Sequence, residues 1–298
     1  MRKSDKLNLF FLSLSLTLVM ALSLGCDGEK SGDGASGASI DFVMGYEEAL
    51  TAARQRNQPV LIDFYTDWCR WCKVLDTVTY VDPAVIELSK SVVFAKVDAE
   101  VDTTATEANS VHGYPSILLF DSRGKEIDRI VGYLPGPEFV ETVNNYLNGK
   151  GTIDYYKAMA DSAPTPEIDY YLAEKYNDRG MYEKAEGYFQ KVIKNNKNNE
   201  GEYTSGAMLS LAGISLSLDK YDEAIKRYRE VKTKFTDSAI VDESDIMIAI
   251  CYRIKGDTTM AIKAFEDYLK AHPNSPDTGY AVKQIEKLKN PPPPEAGK

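Results

Sequence analysis

Histidine is scarce in this chain, which has only two histidines among its 298 residues. That scarcity argues against a histidine-rich metal centre, so we expect no bound metal. One of the two, His112, we interpret as an ordinary loop residue. Basic residues are also few, because 35 lysines and arginines stand against 45 aspartates and glutamates, a formal net charge of −10. A surface of this sign repels phosphate backbones, and we expect no nucleic-acid partner.

Cysteine is limited to four residues, and their placement is not that of a disulfide framework. Cys26 follows an apolar run, Cys69 and Cys72 form a CxxC pair, and Cys251 stands alone. The pair is either redox-active, a structural disulfide or half of a metal site. A zinc site needs four ligands, and no second CxxC or Cys/His pair lies nearby in the sequence, so we favour the redox interpretation. Cys251 we expect to be a buried free thiol.

The first 25 residues have the order of an export signal. Three basic residues within the first six positions precede an apolar stretch from Leu7 to Leu24. This pattern predicts a signal peptide over residues 1–25; the alternatives to a lipoprotein signal are ordinary cleavage and an uncleaved membrane anchor. The Gly25-Cys26 junction resembles the cleavage site of bacterial lipoproteins. The resemblance implies a lipid on Cys26 and a location on the periplasmic side of a bacterial membrane.

Residues 26–39 are rich in glycine and serine and have no apolar periodicity. Such a composition is typical of a flexible tether. Export also sets the redox environment, because extracytoplasmic space is oxidising. An active dithiol there needs a partner that supplies or removes electrons.

Residues 40–149 alternate between segments typical of strands and segments typical of helices. Their order predicts an α/β domain with a mixed sheet and helices on both of its faces. The CxxC pair follows the first long apolar run, where a helix is predicted to begin. Strands are predicted at 59–65, 92–97, 116–120 and 125–131, and helices at 46–56, from 69, from 82, at 103–111 and at 137–147.

A position at the start of a helix would make Cys69 reactive. Unpaired backbone N–H groups and the helix dipole stabilise a thiolate there. We therefore predict that Cys69 is the exposed attacking sulfur, and that Cys72, one turn further along, is the buried resolving sulfur. Arg70 adds a positive charge that favours the thiolate. Trp68 and Trp71 either face the substrate or cover the sulfurs.

Residues 57–147 resemble the thioredoxin family in five features that occur in the family's order. The segment around the cysteines is also similar to the periplasmic thioredoxin-like domain of the reductase DsbD and its relatives. The resemblance implies a thioredoxin-like fold and an enzyme that exchanges protein thiols and disulfides, more as a reductase or isomerase than as an oxidant. It implies no cofactor other than the disulfide itself. The features are Val60-Leu-Ile-Asp-Phe-Tyr65 before Trp68-Cys69, Phe94-Ala-Lys96-Val-Asp98, Gly113-Tyr114-Pro115, Leu118-Leu119-Phe120 and Val131-Gly132.

The same resemblance implies roles for residues outside the pair. Asp63, in the middle of an apolar strand, would take the proton of Cys72 with assistance from Lys96. Alternatively, Asp63 reaches solvent and only forms an ion pair with Lys96. Pro115 resembles the family's cis-proline, and the backbone at Tyr114 would then pair with an incoming substrate chain. An ordinary trans proline is the alternative.

Residues 167–289 contain a repeat marked by Ala185, Ala224 and Ala261. An aromatic residue follows each of these alanines by four positions, and another alanine precedes each by twelve. The pattern resembles the tetratricopeptide repeat, in which small residues allow two helices to cross closely. It implies an all-α domain of three repeats that recruits a protein partner; the alternative is a domain that only spaces or dimerises the protein.

Residues 150–166 we assign to a linker and residues 290–298 to a disordered tail. Two functions agree with these features of the sequence. The chain is an envelope thiol–disulfide oxidoreductase, or it is a lipoprotein scaffold whose thioredoxin-like fold serves only as a binding module.

Overall fold

A computed structural model describes residues 39–196 and 201–291. The predicted signal peptide, the lipid site at Cys26 and the tether up to residue 38 lie outside the described residues. So does the predicted tail from residue 292 onwards.

The amino-terminal half is a five-stranded mixed sheet with helices on both faces. The mixed sheet and four of its strands were predicted, whereas the short first strand, Val43–Met44, was not. The strands run in the order β1-β3-β2-β4-β5, with β1, β2 and β3 parallel and β4 and β5 antiparallel to their neighbours. The strands are Val43–Met44 (β1), Val60–Tyr65 (β2), Val93–Asp98 (β3), Ser116–Phe120 (β4) and Glu126–Val131 (β5). The helices are Tyr46–Arg56 (α1), Arg70–Val74 (α2), Pro83–Leu88 (α3), Thr103–Ala108 (α4) and Gly136–Leu147 (α5).

The central strand β2 divides the core into two apolar layers. Successive side chains of a strand point to opposite faces, so Ile62 and Phe64 pack with α1 on one side. Leu61 packs on the other side, against Leu75 and α5. Asp63 shares the face of Leu61, and it therefore points towards the helix that begins after the cysteines.

That helix changes its winding after one turn. A π-helical turn, Leu75–Thr79, follows α2 directly, and its wider winding is marked by a hydrogen bond from Tyr80 N to Leu75 O at 2.8 Å. No pattern in the sequence predicted this turn. The helix predicted over residues 103–111 ends instead at Ala108, because Ser110 adopts a left-handed φ of 50°.

The carboxyl-terminal half is entirely helical in the described residues. Its helices are Ile153–Ser162 (α6), Pro166–Asn177 (α7), Tyr182–Asn195 (α8), Glu202–Ser217 (α9), Tyr221–Lys234 (α10), Ser238–Lys255 (α11), Thr258–Ala271 (α12) and Thr278–Lys289 (α13). The three predicted repeats are the pairs α7–α8, α9–α10 and α11–α12.

Small residues allow the two helices of each repeat to cross closely. All six repeat alanines are fully buried: Ala173, Ala185, Ala212, Ala224, Ala249 and Ala261. Phe189, Tyr228 and Phe265 fill the space beside them and are also buried. Cys251 is a buried free thiol on α11, as predicted, and burial raises its pKa to about 11.

The linker predicted over residues 150–166 is wrong in its middle part, because that segment forms α6. The Thr152 hydroxyl accepts a hydrogen bond from Tyr155 N at 3.1 Å and so caps the helix. Ile153 and Tyr156 then pack against the core of the first repeat. The helix escaped prediction because none of its residues is fully buried, so its apolar pattern is weak.

A buried group of charges joins the two halves of the molecule. Asp128 on β5 has no solvent exposure and accepts a hydrogen bond from Lys175 Nζ on α7 at 2.8 Å. Arg179 Nη2 lies 3.3 Å from the same carboxylate oxygen, and Ile153 N donates to the other oxygen at 2.5 Å. Lys175 also donates to the Tyr146 hydroxyl at 2.6 Å. These contacts hold α6 and α7 against the sheet.

Candidate active site

Cys69 and Cys72 form a disulfide at the start of α2, with their Cα atoms 5.3 Å apart. Cys69 is the N-cap residue of the helix and has an extended backbone. Its sulfur accepts a hydrogen bond from Cys72 N at 3.1 Å. A backbone N–H at the amino end of the helix therefore points at the sulfur predicted to be the nucleophile, and such a donor stabilises a thiolate.

The predicted contrast in exposure between the two cysteines is wrong. Cys69 is 5% exposed and Cys72 is 3% exposed, so both are buried in the disulfide form. The reason is the position of Cys69 as a cap, because its sulfur turns inward to meet the N–H of Cys72.

Trp68 stands beside the disulfide and is 67% exposed. Its indole Nε1 donates a hydrogen bond to Glu100 at 3.0 Å, and its ring meets the edge of Tyr114 with centroids 5.9 Å apart. Of the two alternatives for this side chain, its exposure favours a substrate-facing position.

Trp71, between the two cysteines, is 46% exposed. It stacks on Tyr133 with ring centroids 5.4 Å apart, and the Arg70 guanidinium lies 5.6 Å from its ring centroid. These contacts fix the ring beside the disulfide while leaving about half of it open to solvent.

Asp63 lies inside the protein, 2% exposed. Neither of its carboxylate oxygens accepts a hydrogen bond of normal geometry from the part of the chain that the structure describes. Burial raises the pKa of this carboxyl to about 7, although the nearby Lys96 ammonium and Tyr80 hydroxyl act in the opposite direction. The alternative in which Asp63 reaches solvent does not agree with this burial.

Lys96 faces Asp63 across the β2–β3 register, and its Nζ lies 3.9 Å from an Asp63 oxygen. The same ammonium group forms an ion pair with Asp76. The rings of Phe42, Tyr65 and Tyr80 surround it with centroids 5.1 to 5.5 Å from Nζ. Lys96 is thus held between two carboxylates.

Asp76 is a residue that the sequence analysis missed. It belongs to the π-helical turn and follows Cys72 by four positions. Residues four apart share one face of a helix, so an acid at this spacing was the signal that could have found it. The aromatic rings around Lys96 come from three distant segments and give no comparable local signal.

The loop before β4 completes the site. The peptide bond between Tyr114 and Pro115 is cis. Pro115 O accepts a hydrogen bond from Gly132 N at 2.8 Å, and the Ser116 hydroxyl donates to Gly113 O at 2.7 Å. The contact between Tyr114 and Trp68 brings this loop beside the disulfide.

Neither a metal centre nor a membrane span is found in the described ranges. Among residues 39–196 and 201–291, no group of three or more His, Cys, Asp or Glu side chains is placed to hold a metal ion. No helix in that part of the chain has both the length and the apolar character needed to cross a membrane.

Comparison with known families agrees with the geometry of this site. The thioredoxin family model matches residues 44–145. This segment is a thioredoxin domain. A second family model, described as the outer membrane lipoprotein YfiO, matches residues 202–283, from α9 into α13.

Relatives of the thioredoxin domain include two named proteins. The thiol:disulfide interchange protein DsbD of Pseudoalteromonas atlantica is 35% identical over 109 residues, which cover 34% of this chain and 18% of DsbD. The chloroplastic thioredoxin-like protein HCF164 of Arabidopsis thaliana is 32% identical over 114 residues, covering 38% of this chain and 42% of that protein. The chain therefore spans only a minor part of the length of these relatives.

Two solved structures are similar to the thioredoxin domain. The DsbH oxidoreductase is 20% identical and covers 41% of this chain and 95% of its own, with a TM-score of 0.34. The oxidised carboxyl-terminal domain of Neisseria meningitidis DsbD is 22% identical and covers 34% and 90%, with a TM-score of 0.31.

Proposed function

We propose that the thioredoxin domain is a thiol–disulfide oxidoreductase that acts on protein disulfides through Cys69 and Cys72. The observation that carries this proposal is the disulfide at the amino end of α2, where Cys72 N donates to the Cys69 sulfur. The buried carboxyl of Asp63, on the sheet face towards that helix, supplies a proton acceptor. The named relatives support the same class of reaction.

In the first step, the reduced enzyme attacks a client disulfide. The Cys69 thiolate donates an electron pair to one client sulfur, and a bond forms between them as the client S–S bond breaks. The second client sulfur leaves as a thiolate and takes a proton from water. The product is a mixed disulfide between Cys69 and the client. The N–H donor at Cys69 favours the thiolate that begins this step.

In the second step, Cys72 resolves the mixed disulfide. Its thiol gives a proton to Asp63, and the resulting thiolate attacks the sulfur of Cys69. The Cys69–Cys72 disulfide closes, and the client sulfur leaves as a second thiolate, which is then protonated. A carboxyl with a pKa of about 7 can accept and release this proton near neutral pH. The client gains two electrons and two protons, and a dithiol donor must return them to the enzyme.

The reaction is tested by insulin reduction with the full chain and dithiothreitol as the dithiol donor. We expect the wild-type chain to accelerate insulin reduction and Cys69→Ser to abolish the acceleration. Cys251→Ser is the matched control, because it removes a buried thiol far along the sequence on α11 and should retain full activity. Equal rates for the wild type and Cys69→Ser would overturn the proposal.

The direction of exchange is tested separately. We propose reduction or isomerisation of client disulfides, on the strength of the likeness to DsbD. Equilibration of the chain with glutathione buffers measures the reduction potential of the pair. A potential near that of thioredoxin, about −270 mV, supports a reductant, and one near that of DsbA, about −120 mV, indicates an oxidant.

We further propose that the chain is exported and anchored by a lipid on Cys26 to the periplasmic side of a bacterial membrane, with its repeats binding a protein partner. The Gly25-Cys26 junction and the match to a lipoprotein family model support this location. The test is metabolic labelling with a fatty acid. We expect label on the wild type and none on Cys26→Ser; equal labelling of both would contradict the lipid site.

A further inference from the structure

The turn between the first two repeat helices touches the thioredoxin domain beside its active site. We call residues 178–181, between α7 and α8, the repeat turn, and residues 110–115, before β4, the active-site loop. Two contacts join them, and each uses a side chain of the thioredoxin domain.

The first contact is made by Arg129 on β5, which is 3% exposed. Its Nη1 donates to Ser110 O in the active-site loop and to Asp178 O in the repeat turn, both at 3.3 Å. Its other two nitrogens donate to Glu126 at 2.9 and 2.7 Å. One fixed guanidinium group therefore holds the first residue of the loop and the first residue of the turn together.

The second contact is between His112 and Gly180. A Cβ atom placed on Gly180 would lie 2.3 Å from Nε2 of His112, an exposed residue, so its ring would have to move to admit a side chain there. The His112 ring also lies near Tyr182, with ring centroids 6.2 Å apart. The imidazole thus occupies the space that a side chain at position 180 would need.

The equivalent turns of the other two repeats provide a comparison for Gly180. The residue at the equivalent turn of the second repeat is Asp219, with a φ of 57°, and that of the third repeat is Gly256, with a φ of 84°. Asp219 shows that this turn accepts a side chain in the left-handed conformation. Gly180 has a similar φ of 64°, so the close approach of His112 is the feature that distinguishes it.

The far end of the active-site loop reaches the reacting disulfide. Tyr114 meets the ring of Trp68, which is adjacent to Cys69. The loop therefore extends from the repeat turn to the surface that a client chain must approach.

We propose that His112 and Arg129 are positioning residues through which the repeat domain fixes the active-site loop for protein clients. This inference rests on the proposed oxidoreductase function. A protein client must dock along the loop, whereas a small disulfide needs only the two sulfurs. The repeat domain thus contributes to client recognition from within the chain, in addition to any partner that it binds.

The test compares Gly180→Ala with Gly256→Ala in the full chain. Both glycines lie in the turn after a helix that closes with the same pair of backbone hydrogen bonds, and a Cβ on Gly256 meets nothing within 4 Å. Both substitutions therefore add similar backbone strain, but only Gly180→Ala displaces His112. The two tryptophans of the chain are Trp68, which precedes Cys69, and Trp71, which lies between the two cysteines, so their fluorescence follows oxidation of the pair.

Two oxidants, insulin and the small molecule bis(hydroxyethyl) disulfide, distinguish an effect on client docking from an effect on disulfide exchange itself. We expect Gly180→Ala to lower the rate constant with insulin by about 10- to 100-fold, the loss typical of a misplaced positioning group. Its rate with bis(hydroxyethyl) disulfide and its reduction potential should match those of the wild type. Gly256→Ala should match the wild type with both oxidants. Equal insulin rates for the two glycine variants would overturn the inference.

If Gly180→Ala lowers the stability of the protein, a double-mutant cycle of Gly180→Ala with His112→Ala still tests the inference. His112→Ala removes the ring that the new methyl group displaces, so adding Gly180→Ala to it should cause no further loss with insulin. Losses that simply add would overturn the inference. If the wild type reacts with bis(hydroxyethyl) disulfide through Cys69 but both glycine variants keep the wild-type rate with insulin, only this inference is contradicted. If the wild type reacts with neither oxidant, the proposed function is contradicted as well.

Discussion

At the scale of the residue, the proposed chemistry depends on Asp63, a buried carboxyl on the sheet face towards the helix that begins after the cysteines. The candidate residues Cys69, Cys72 and Asp63 were predictable because each lies in a local pattern, a CxxC pair or a charge within an apolar strand. The ion pair between Lys96 and Asp76 was not, since it joins a strand to an unpredicted π-helical turn. Sequence patterns indicate contacts between residues that are close along the chain better than contacts between distant segments.

Asp63 should make stability and activity depend on pH. Its pKa in the folded protein, about 7, lies above the ordinary value of 3.8, so the folded chain binds a proton that the unfolded chain has released. Asp63 should therefore contribute a fall on the order of 4 kcal/mol in the free energy of unfolding as pH rises from about 4 to about 7. Asp63→Asn should remove this contribution and slow the resolving step about 100-fold, while the raised pKa values of Glu174 and Asp178 continue to lower stability over the same range.

Urea unfolding of the oxidised chain across this pH range measures the first effect, and the decay of the mixed disulfide measures the second. Asp41→Asn, at an exposed position, serves as the control and should keep the wild-type profile. An Asp63→Asn variant with an unchanged pH profile would contradict the role of this carboxyl.

The neighbours of Asp63 should move its titration in opposite directions. Lys96 lowers the pKa of Asp63 and Asp76 raises it. Lys96→Met should therefore shift the pH midpoint of the resolving step upwards, and Asp76→Asn should shift it downwards. The pH dependence of mixed-disulfide decay gives both midpoints. Shifts of the same sign in the two variants would show that the arrangement of charges is misassigned.

At the scale of the element, the repeat helices follow their sequence closely. The positions of the repeat alanines predicted three helix pairs, because only small residues allow the close crossing. The winding of the helix after α2 escaped prediction, since no proline or glycine marks the π-helical turn. The helix α6 escaped it because its packing face is only partly buried.

An alanine at a helix crossing should not tolerate a larger side chain. Ala261 is fully buried on α12, so Ala261→Leu should lower the free energy of unfolding by about 1–3 kcal/mol. Ala271, exposed at the end of the same helix, is the matched position, and Ala271→Leu should have little effect. Urea unfolding followed by helical circular dichroism compares them. Equal losses at both positions would contradict the repeat packing.

At the scale of the whole molecule, buried charges join the sheet to the helical half. No sequence pattern announced this junction, because Asp128 and Lys175 are 47 residues apart and each resembles an ordinary surface charge in its own element. Residues 150–166 were predicted to be a linker for the same reason, because their contacts with distant residues leave no local pattern in the sequence. The order of the two folds was predictable, while their fixed contact depends on pairs that only the folded chain brings together.

Removing one charge of the Lys175–Asp128 pair should lower the free energy of unfolding more than removing both charges. Lys175→Met leaves the buried Asp128 without its closest cation, and we expect a loss of about 3–5 kcal/mol in the free energy of unfolding. Lys175→Met combined with Asp128→Asn should recover part of that loss, since the uncompensated charge is gone. Denaturant unfolding of the four chains of this cycle measures the coupling. A double variant less stable than Lys175→Met would contradict the account of the junction.

The central claim is the division of labour between the two cysteines, and mixed-disulfide trapping tests it most directly. Reduced Cys72→Ser and Cys69→Ser chains are each incubated with insulin, and covalent adducts are identified by mass spectrometry. We expect a stable adduct through Cys69 in Cys72→Ser and none in Cys69→Ser. Equal adducts in the two variants, or an adduct only in Cys69→Ser, would contradict it.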